Sequence, residues 1–517
     1  MLRTDATLPG FYESPFYITG AAYTGTAEQQ LIDNVPGLFT LYRSNGNMAP
    51  VYKNLSLFVQ DEWKATSRLS ISAGLRWDVN PAPRDANGNQ PYTIDQITDL
   101  ATTKIAPQGS DLWKTTYNNF APRFGVAYQA RQEPGHETTL RGGAGIFYDA
   151  SSVQASEGYW YGIGITGSLN MNYKPFPVDA ATLQSTPLPS ATPSATSTSQ
   201  IFGFDPNLKL PYALQWNGSI EQGLGQSQTM TLSYVGSIGD RLLLARQLYP
   251  NLYGNPLFPT ASALYLYATI NGSSSSYNSL QAQYRRSLWH GLQMLTSYTW
   301  SHAIDDSTSN FTLTSLLRGN SNYDIRHNFQ AAITYNLPSG YDNAAARAAL
   351  GGWALDSRVS ARSALPVDVL ASTQISPSGA SYSPHPNRVA GQPLYVDVPD
   401  APGGRRININ AFSMPAAGTE GDAGRNIARG FASYQWDVAF RREFRLSDRI
   451  HTNFRAEAFN VLNHANFGSI SSNIQTNTAA QPFGQATGTQ AGQLGGLNAL
   501  YQTGGPRSLQ MALKVQF

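Results

Sequence analysis

The sequence predicts an all-β fold, an antiparallel transmembrane β-barrel, on three observations: strands that alternate apolar and polar residues, short turns that alternate with long loops, and a low charge content without any long apolar run. The alternation is cleanest from Arg507 to Phe517. Leu509, Met511, Leu513, Val515 and Phe517 share one parity, and Ser508, Gln510, Ala512, Lys514 and Gln516 share the other. A soluble sheet can use one such strand. The recurrence of the pattern along 517 residues, with long loops between hairpins, points to an outer-membrane barrel.

Composition narrows the alternatives. Charged residues are 13% of the chain, about half the usual share of roughly 25%. Aromatic residues reach 11%. Mean hydropathy is −0.31, and no run of ~20 apolar residues offers a membrane-spanning helix. A barrel hides its apolar face in alternation, so its average hydropathy stays that of a soluble protein. A net charge of +2 makes no case for nucleic acid. The absence of cysteine excludes thiolate chemistry, disulfides and cysteine-ligated metals, and it fits passage through an oxidising periplasm. Export to an outer membrane needs a signal peptide, and the first nine residues, MLRTDATLP, lack the apolar core of one.

The elements follow in order. Asn54–Ala65 carries Leu55, Leu57, Val59 and Trp63 on one face. After Thr66 and Ser67, Leu69, Ile71, Ala73, Leu75 and Trp77 alternate with Ser70, Ser72, Gly74, Arg76 and Asp78, which reads as a hairpin. Phe124, Val126 and Tyr128 turn at Glu133, Pro134 and Gly135 into Leu140, Ala144, Ile146 and Tyr148. Tyr212–Glu221 turns at Leu224 and Gly225 into Met230, Leu232, Tyr234 and Val235. Tyr277–Leu288 turns at Trp289, His290 and Gly291 into Leu292–Trp300. Phe329–Leu337 returns as Trp353–Ala361, extended by Val367–Leu370. Trp436, Val438, Phe440 and Phe444 turn at Ser447 and Asp448 into Ile450, Thr452, Phe454, Ala456 and Ala458, and the carboxy-terminal strand closes the series. The total is about 13–14 strands, most near the length that crosses a tilted bilayer.

The other connections cover roughly 80–119, 150–208, 240–274, 304–325, 372–432 and 463–505. Soluble sheets rarely carry so many loops longer than ~15 residues. Outer-membrane barrels pair short periplasmic turns with long extracellular loops, which puts the end of the last strand at the periplasmic side. Ser185–Gln200, rich in Ser, Thr and Pro, has little to bury. Trp63, Trp77, Tyr148, Trp216, Trp300 and Trp353 gather at strand ends. They suit interfacial aromatic girdles, and a soluble aromatic core is the plainer alternative.

Several of these strings also resemble a family. They are Leu57 to Lys64 (LFVQDEWK), Leu75 to Trp77 (LRW), Ala121 to Gly125 (APRFG), Leu140 to Gly143 (LRGG) and Gly145 to Asp149 (GIFYD). They continue with Tyr234 to Ser237 (YVGS), Ser297 to Ser301 (SYTWS), Asp324 to His327 (DIRH), Gly424 to Asn426 (GRN), Arg429 with Gly430, Phe454 to Asn460 (FRAEAFN) and the terminal Phe517. Each is weak alone, but their order over residues ~50–517 resembles the barrel of Oar-like TonB-dependent receptors, with their carboxypeptidase regulatory-like relatives. The resemblance implies a barrel of 22 strands, plugged by an amino-terminal domain and energised through the TonB complex. It also implies a signal peptide and plug that are not visible here. Residues 1–53 then read as a loop or the remnant of an upstream strand, and 54–517 as the carboxy-terminal part of the barrel, about strands 10 to 22.

Chemistry motifs are poor. No P-loop, zinc-protease motif or nucleophile elbow occurs in its required setting, so the chain reads as no enzyme and needs no cofactor. His302, Asp305 and Asp306 could form a metal or acid–base cluster, or simply a polar loop base. Asp85, Asn87 and Asn89 echo a calcium loop without its distal Glu, and a turn explains them. Gly142, Gly143 and Gly145 lie inside a strand with no helix to complete a phosphate cradle.

Arg76, Arg141, Arg441, Arg455 and Glu457 take the polar parity and are the candidates for the barrel lumen, with Arg123, Arg285, Asp78 and Asp437 close by. Charges on the lipid face would cost ~2–4 kcal/mol at mid-bilayer. These residues either line a substrate path and hold a plug or form a solvated wall. In such a family Phe517 serves as the signal read by the barrel-assembly machinery. The expected function is a receptor or transporter barrel integral to the outer membrane, in contact with its lipid, whose external loops capture an unidentified ligand. A structural or adhesive surface barrel is the alternative.

Overall fold

The computed structural model describes residues 2–3, 16–20, 39–44, 49–150, 159, 166–170, 201–257, 266–306, 317–338, 342–343, 345, 349, 351–375, 381–445, 451–478, 481–490 and 504–516. Its main feature is one antiparallel meander of thirteen strands in sequence order. We number them β1 (Leu55–Lys64), β2 (Leu69–Val79), β3 (Asn119–Arg131), β4 (Thr138–Tyr148), β5 (Tyr212–Gly223), β6 (Gln228–Leu248), β7 (Leu266–Trp289), β8 (Leu292–Asp305), β9 (His327–Asn336), β10 (Trp353–Arg362), β11 (Ser433–Arg445), β12 (His451–Phe459) and β13 (Ser508–Gln516). Among the described residues no helix is long and apolar enough to cross a membrane.

The register follows the binary pattern from edge to edge. Trp77 stands opposite Phe120 and Ile71 opposite Val126. Leu280 stands opposite both Tyr234 and Trp300. Phe440 faces Leu355 and Ala456, and Phe454 faces Leu513. Each is an apolar residue paired with another of the same face. A slip of one residue anywhere would turn a whole strand over, so every strand specifies its neighbour. The apolar face is nonetheless open: Met511 is 75% exposed, Leu513 67% and Phe440 51%. An apolar surface of this extent is stable only against a non-aqueous partner, and lipid is the partner that a face of this shape meets.

Aromatic residues stand toward both ends of the strands. Trp63, Trp289 and Trp353 mark the short-turn end, while Trp77, Tyr148 and Trp300 mark the other. Trp77 stacks near Phe120, with ring centroids 6.3 Å apart, and Tyr148 meets Tyr212 at 5.8 Å. From Leu292 to Trp300 the strand advances roughly 26 Å at ~3.3 Å per residue, enough to cross most of an apolar band about 25 Å tall. Trp216 lies in the register row of Gly236, Asn278 and His302. It lies over Gly236, where a Cβ would come within 2.3 Å of its ring.

The turn lengths alternate as expected, with corrections at three long connections. The span 240–274 is largely strand. β6 runs 21 residues and β7 runs 24, so this hairpin rises well past the girdle. The run Leu242, Leu243, Leu244 does not alternate because this extension is packed on both sides: Leu244, Leu266 and Ala268 are buried on one face, and on the other Thr269 is buried and Leu243 packs against the cluster around Trp113. β8 likewise continues to Asp305. Val367–Leu370 does not extend β10. Pro366, which has no N–H for the ladder, pairs with Arg429 and Val367 with Ala428 in a separate small ladder. In the amino-terminal segment, Phe16–Gly20 and Phe39–Ser44 pair with each other, and Thr166–Asn170 adds to the second. Ser185–Gln200, the turn at Ser447 and Asp448, and Phe517 lie outside the described residues.

The long connections fold into two modules above the sheet. The first, over β2 to β7, packs Ala82, Leu112, Trp113, Tyr159, Phe204 and Leu208, beside a second cluster of Ile94, Leu266 and Ala268. The second, over β8 to β13, packs Val369, Ile407, Ala411, Phe412, Ala428 and Phe483.

The face assignment makes a prediction about β13. Leu513→Arg, which puts a charge on the apolar face, is expected to destabilise the inserted protein by ~2–3 kcal/mol and to lower its yield in membranes. Lys514→Ala, on the other face, is expected to leave that yield unchanged. Equal yields of the two variants would refute the assignment.

Candidate functional site

The polar face of the meander carries ion pairs both within strands and across neighbouring ones. On β2, Arg76 Nε donates to Asp78 Oδ1 at 2.9 Å, and Ser56 of β1 joins both: its Oγ donates to Asp78 and accepts from Arg76 Nη2 at 2.8 Å. Arg141 on β4 lies 3.7 Å from Glu221 on β5. Arg441, Arg455 and Glu457 come together around Asp356 of β10, which the sequence reading did not single out. Arg441 Nε donates to Asp356 Oδ2 at 3.0 Å, Arg455 lies 3.9 Å from the same oxygen and 2.8 Å from Glu457, and Thr334 Oγ1 donates to Asp356 at 2.8 Å. The five candidates therefore form three groups along the sheet, with Asp78, Glu221 and Asp356 as their anionic partners. Asp356 and Glu221 share the polar parity of their strands, which is the signal that would have found them. Arg123 lies over the ring of Phe147 at 4.4 Å. A cavity of about 510 Å³ opens beside β1, with Glu62, Lys64, Ser72 and Arg141 among its walls.

The second long-loop module is anchored to the sheet by a buried network. Asp324 is fully buried. Its carboxylate accepts from Ala303 N–H at 2.8 Å and His302 Nδ1 at 3.2 Å, and it pairs with Arg326 at 3.0 Å and with Arg429. Burial alone would raise its pKa. The Ala303 amide, Arg429, His302 and Arg326 outweigh burial and hold the carboxyl below the usual range. Arg326 Nη2 also donates to His302 Nε2 at 3.3 Å. A guanidinium has no acceptor, so Nε2 accepts and Nδ1 carries the proton that reaches Asp324. Nearby, Arg425 is buried against Asp305, and its Nη1 donates to the Asp305 carbonyl at 3.1 Å.

Asn426, in the left-handed region with φ 54°, joins three segments. Its Nδ2 donates to Asn320 O and Asn322 Oδ1, both at 2.7 Å, and its N–H donates to Asp368 at 2.9 Å. Asp368 also accepts from His385 Nε2 at 2.8 Å, while Glu420 takes the other ring nitrogen and, at 2.7 Å, the His385 N–H. Glu420 is held in place by the next residue: a Cβ at Gly421 would lie 2.3 Å from the Pro386 carbonyl.

The suspected chemical clusters dissolve in this arrangement. His302, Asp305 and Asp306 point to different partners, Asp324, Arg425 and Arg318 respectively. Asp85 Oδ2 accepts from the N–H groups of Asn87 and Asn89, at 2.9 and 2.7 Å, which is a side-chain-closed turn. Gly142, Gly143 and Gly145 lie within β4. No group of side chains suited to hold a metal occurs among the described residues. Sequence reasoning also missed Asp368, His385 and Glu420. They lie far apart in the chain and carry no spacing signal.

His385 titrates in an informative direction. Burial lowers its pKa, but the carboxylates of Asp368 and Glu420, one on each ring nitrogen, outweigh that and raise it to about 9. A pKa raised above its unfolded value gives stability that is complete below about 6.5 and is lost as pH rises through about 9. The second module is therefore expected to loosen between pH 7 and pH 10, by on the order of 2–3 kcal/mol. Amide exchange over 363–432 checks this, and His385→Gln is expected to remove the pH dependence and leave the module loose throughout.

Comparison with known proteins follows the geometry. A family model described as an outer membrane beta barrel domain matches residues 3–510. No curated protein matches the chain. Among solved structures, the ferripyoverdine receptor of the outer membrane of Pseudomonas aeruginosa is similar at 10% identity and a TM-score of 0.42, covering 93% of this chain and 39% of that one. A ferric enterobactin receptor from Pseudomonas aeruginosa is similar at 12% identity and 0.43, covering 93% and 50%. The FrpB iron transporter from Neisseria meningitidis is similar at 11% identity and 0.41, covering 96% and 49%. The chain thus spans about half or less of the length of these proteins.

Proposed function

The chain belongs to the outer membrane beta-barrel domain family and is integral to the outer membrane, and from that premise we propose that it is the carboxy-terminal part of a larger TonB-dependent receptor of the Oar-like type. Its polar face, with Arg76, Arg141, Arg441, Arg455 and Glu457, then lines the lumen. Its folded external modules receive a ligand, and a plug domain beyond the described residues occupies the lumen and contacts the TonB complex.

The observation that carries the proposal is the state of the two edge strands. Among the described residues β1 pairs only with β2 and β13 only with β12. Unpaired backbone groups cannot face hydrocarbon, so each edge needs a neighbour. β1 and β13 cannot supply each other within the antiparallel pattern. With thirteen strands, both run from the long-loop end to the short-turn end, so direct pairing would be parallel. An odd number of further strands restores the antiparallel order, and nine would complete a barrel of 22, the size that the motif resemblance implies.

Two arms test the reading. The DNA upstream of Met1 is expected to hold an open frame for a signal peptide, a plug and about nine strands. A strain lacking the gene and a strain lacking TonB are expected to share an uptake defect for the same compound. Stop codons upstream, with loss of surface adhesion but no uptake defect, would replace the receptor by the adhesive barrel.

We assign Phe517, the aromatic end of the chain, as the residue read by the barrel-assembly machinery. Its deletion is expected to lower the inserted fraction several-fold, read from heat-modifiable gel mobility. Unchanged mobility would end that assignment.

A further inference from the structure

The polar wall is not charged evenly. Its ion pairs gather at two flanks, around Arg76 and Arg141 on the β1 side and around Asp356, Arg441, Arg455 and Glu457 on the β13 side. Between the flanks the register lines up a row of another kind. Thr231 of β6, Gln283 of β7, Ser297 of β8, Gln330 of β9 and Ser360 of β10 stand opposite one another in turn. The next row toward the long loops holds Ser233, Gln281, Thr299 and Asn328, and it meets a charge only at Arg362 of β10. From β6 to β9 every side chain in both rows is a hydroxyl or an amide.

These groups are largely unspent. Gln283 is exposed, and its side chain, like those of Ser297, Thr299 and Ser360, makes no hydrogen bond among the described residues. Gln330 gives one N–H to Asn328 Oδ1 and Gln281 gives one to Ser279 Oγ, each at 3.1 Å, and the amide oxygens of both accept nothing. Strands lie ~4.8 Å apart, so the lower row spans roughly 19 Å. Tyr277 stands on the same face of β7, toward the long loops, with its ring half-buried.

An amide offers a donor and an acceptor side by side, and a hydroxyl offers both at one atom. The matching ligand is a string of groups that donate and accept without charge, and an oligosaccharide is such a string. An anionic metal chelate would need cations, and neither row has one from β6 to β9. A peptide would need apolar recesses for its side chains, and neither row contains an apolar residue. A wall that had only to stay wet would use charge as freely as its flanks do. The ring of Tyr277 supplies the aromatic surface on which the C–H face of a sugar packs.

We infer that the two rows form a binding strip for an uncharged oligosaccharide, laid across β6 to β10. Gln283 and Gln330 each hold a pair of neighbouring sugar hydroxyls, and Ser297 and Ser360 fill the steps between them. The inference rests on the receptor reading above, and it names the class of compound that the wall receives.

The test presents the full chain, in detergent micelles, to an array of uncharged oligosaccharides, acidic oligosaccharides and end-capped peptides, and titrates the best binder by calorimetry. Binding is expected among the uncharged oligosaccharides. The Q283A/Q330A double variant is expected to weaken it about tenfold, the scale of two lost hydrogen bonds. Thr296→Ala, beside Ser297 but on the apolar face, is expected to leave it unchanged. Binding to no uncharged oligosaccharide would overturn the inference, as would a preference for peptides or acidic sugars, or an unchanged affinity in the double variant. Should the double variant fail to assemble, Gln283→Ala alone decides, with a loss of about threefold expected. Uptake by cells separates this inference from the reading beneath it. Sugar binding without TonB-dependent uptake would keep the strip and end the receptor. TonB-dependent uptake of another compound, without sugar binding, would do the reverse.

Discussion

A backbone amide in hydrocarbon has no water to turn to, and the rest of this structure depends on that constraint. Each N–H and C=O of a membrane-crossing strand must find its partner in an adjacent strand. The meander meets this requirement with strands nine to twenty-four residues long, each paired to its neighbours in the sheet. Once the ladders are obligatory, the side chains choose only the register. The alternation of apolar and polar residues then fixes it, because a one-residue slip would bury Arg441 and Arg455 in lipid and turn Phe440 and Phe454 inward. The sheet is specified less by the strength of any contact than by the cost of every alternative.

The same constraint explains where the chain changes character. Beyond the upper girdle water is available again, and the long connections obey the ordinary rules of soluble domains. They bury cores of their own, such as Phe204 with Trp113, whose rings lie 5.4 Å apart, and Phe412 with Phe483 at 6.2 Å. They also turn tightly and cap one another through side chains, as Asp85 and Asn426 do. The extended hairpin of β6 and β7 bridges the two regimes, since its lower half follows period two and its upper half is packed on both sides.

This division also marks what was legible in the sequence. The meander was readable almost strand by strand, because membrane strands must alternate and their ends must be aromatic. The polar parity of Arg76, Arg141, Arg441, Arg455 and Glu457 was readable for the same reason. The upper parts of β6 and β7 were not, because a strand buried on both faces loses its period. The modules were illegible at the level of contacts. Asp368, His385 and Glu420 meet across loops whose path no local pattern records, and the motif fragments around Asp324, Arg425 and Arg429 show their common purpose only once folded. The residues at the unpaired edges have meaning only in relation to the membrane.

The two sets of charges differ in kind, and magnitudes separate them. Along the polar wall the paired side chains are partly open to solvent: Arg441 and Asp356 are 37% and 25% exposed, Arg141 and Glu221 are 54% and 41%. Pairs of this sort contribute ~0–1 kcal/mol and exchange partners readily. In the module above, Asp324 is wholly buried and Arg425 nearly so, and removing one partner of such a pair costs ~3–5 kcal/mol. The wall is therefore held by its backbone, and its charges can exchange partners. The cap is held by its charges, and they cannot be traded without loosening the fold. Tightly paired loops thus stand over a wall whose charges can exchange partners.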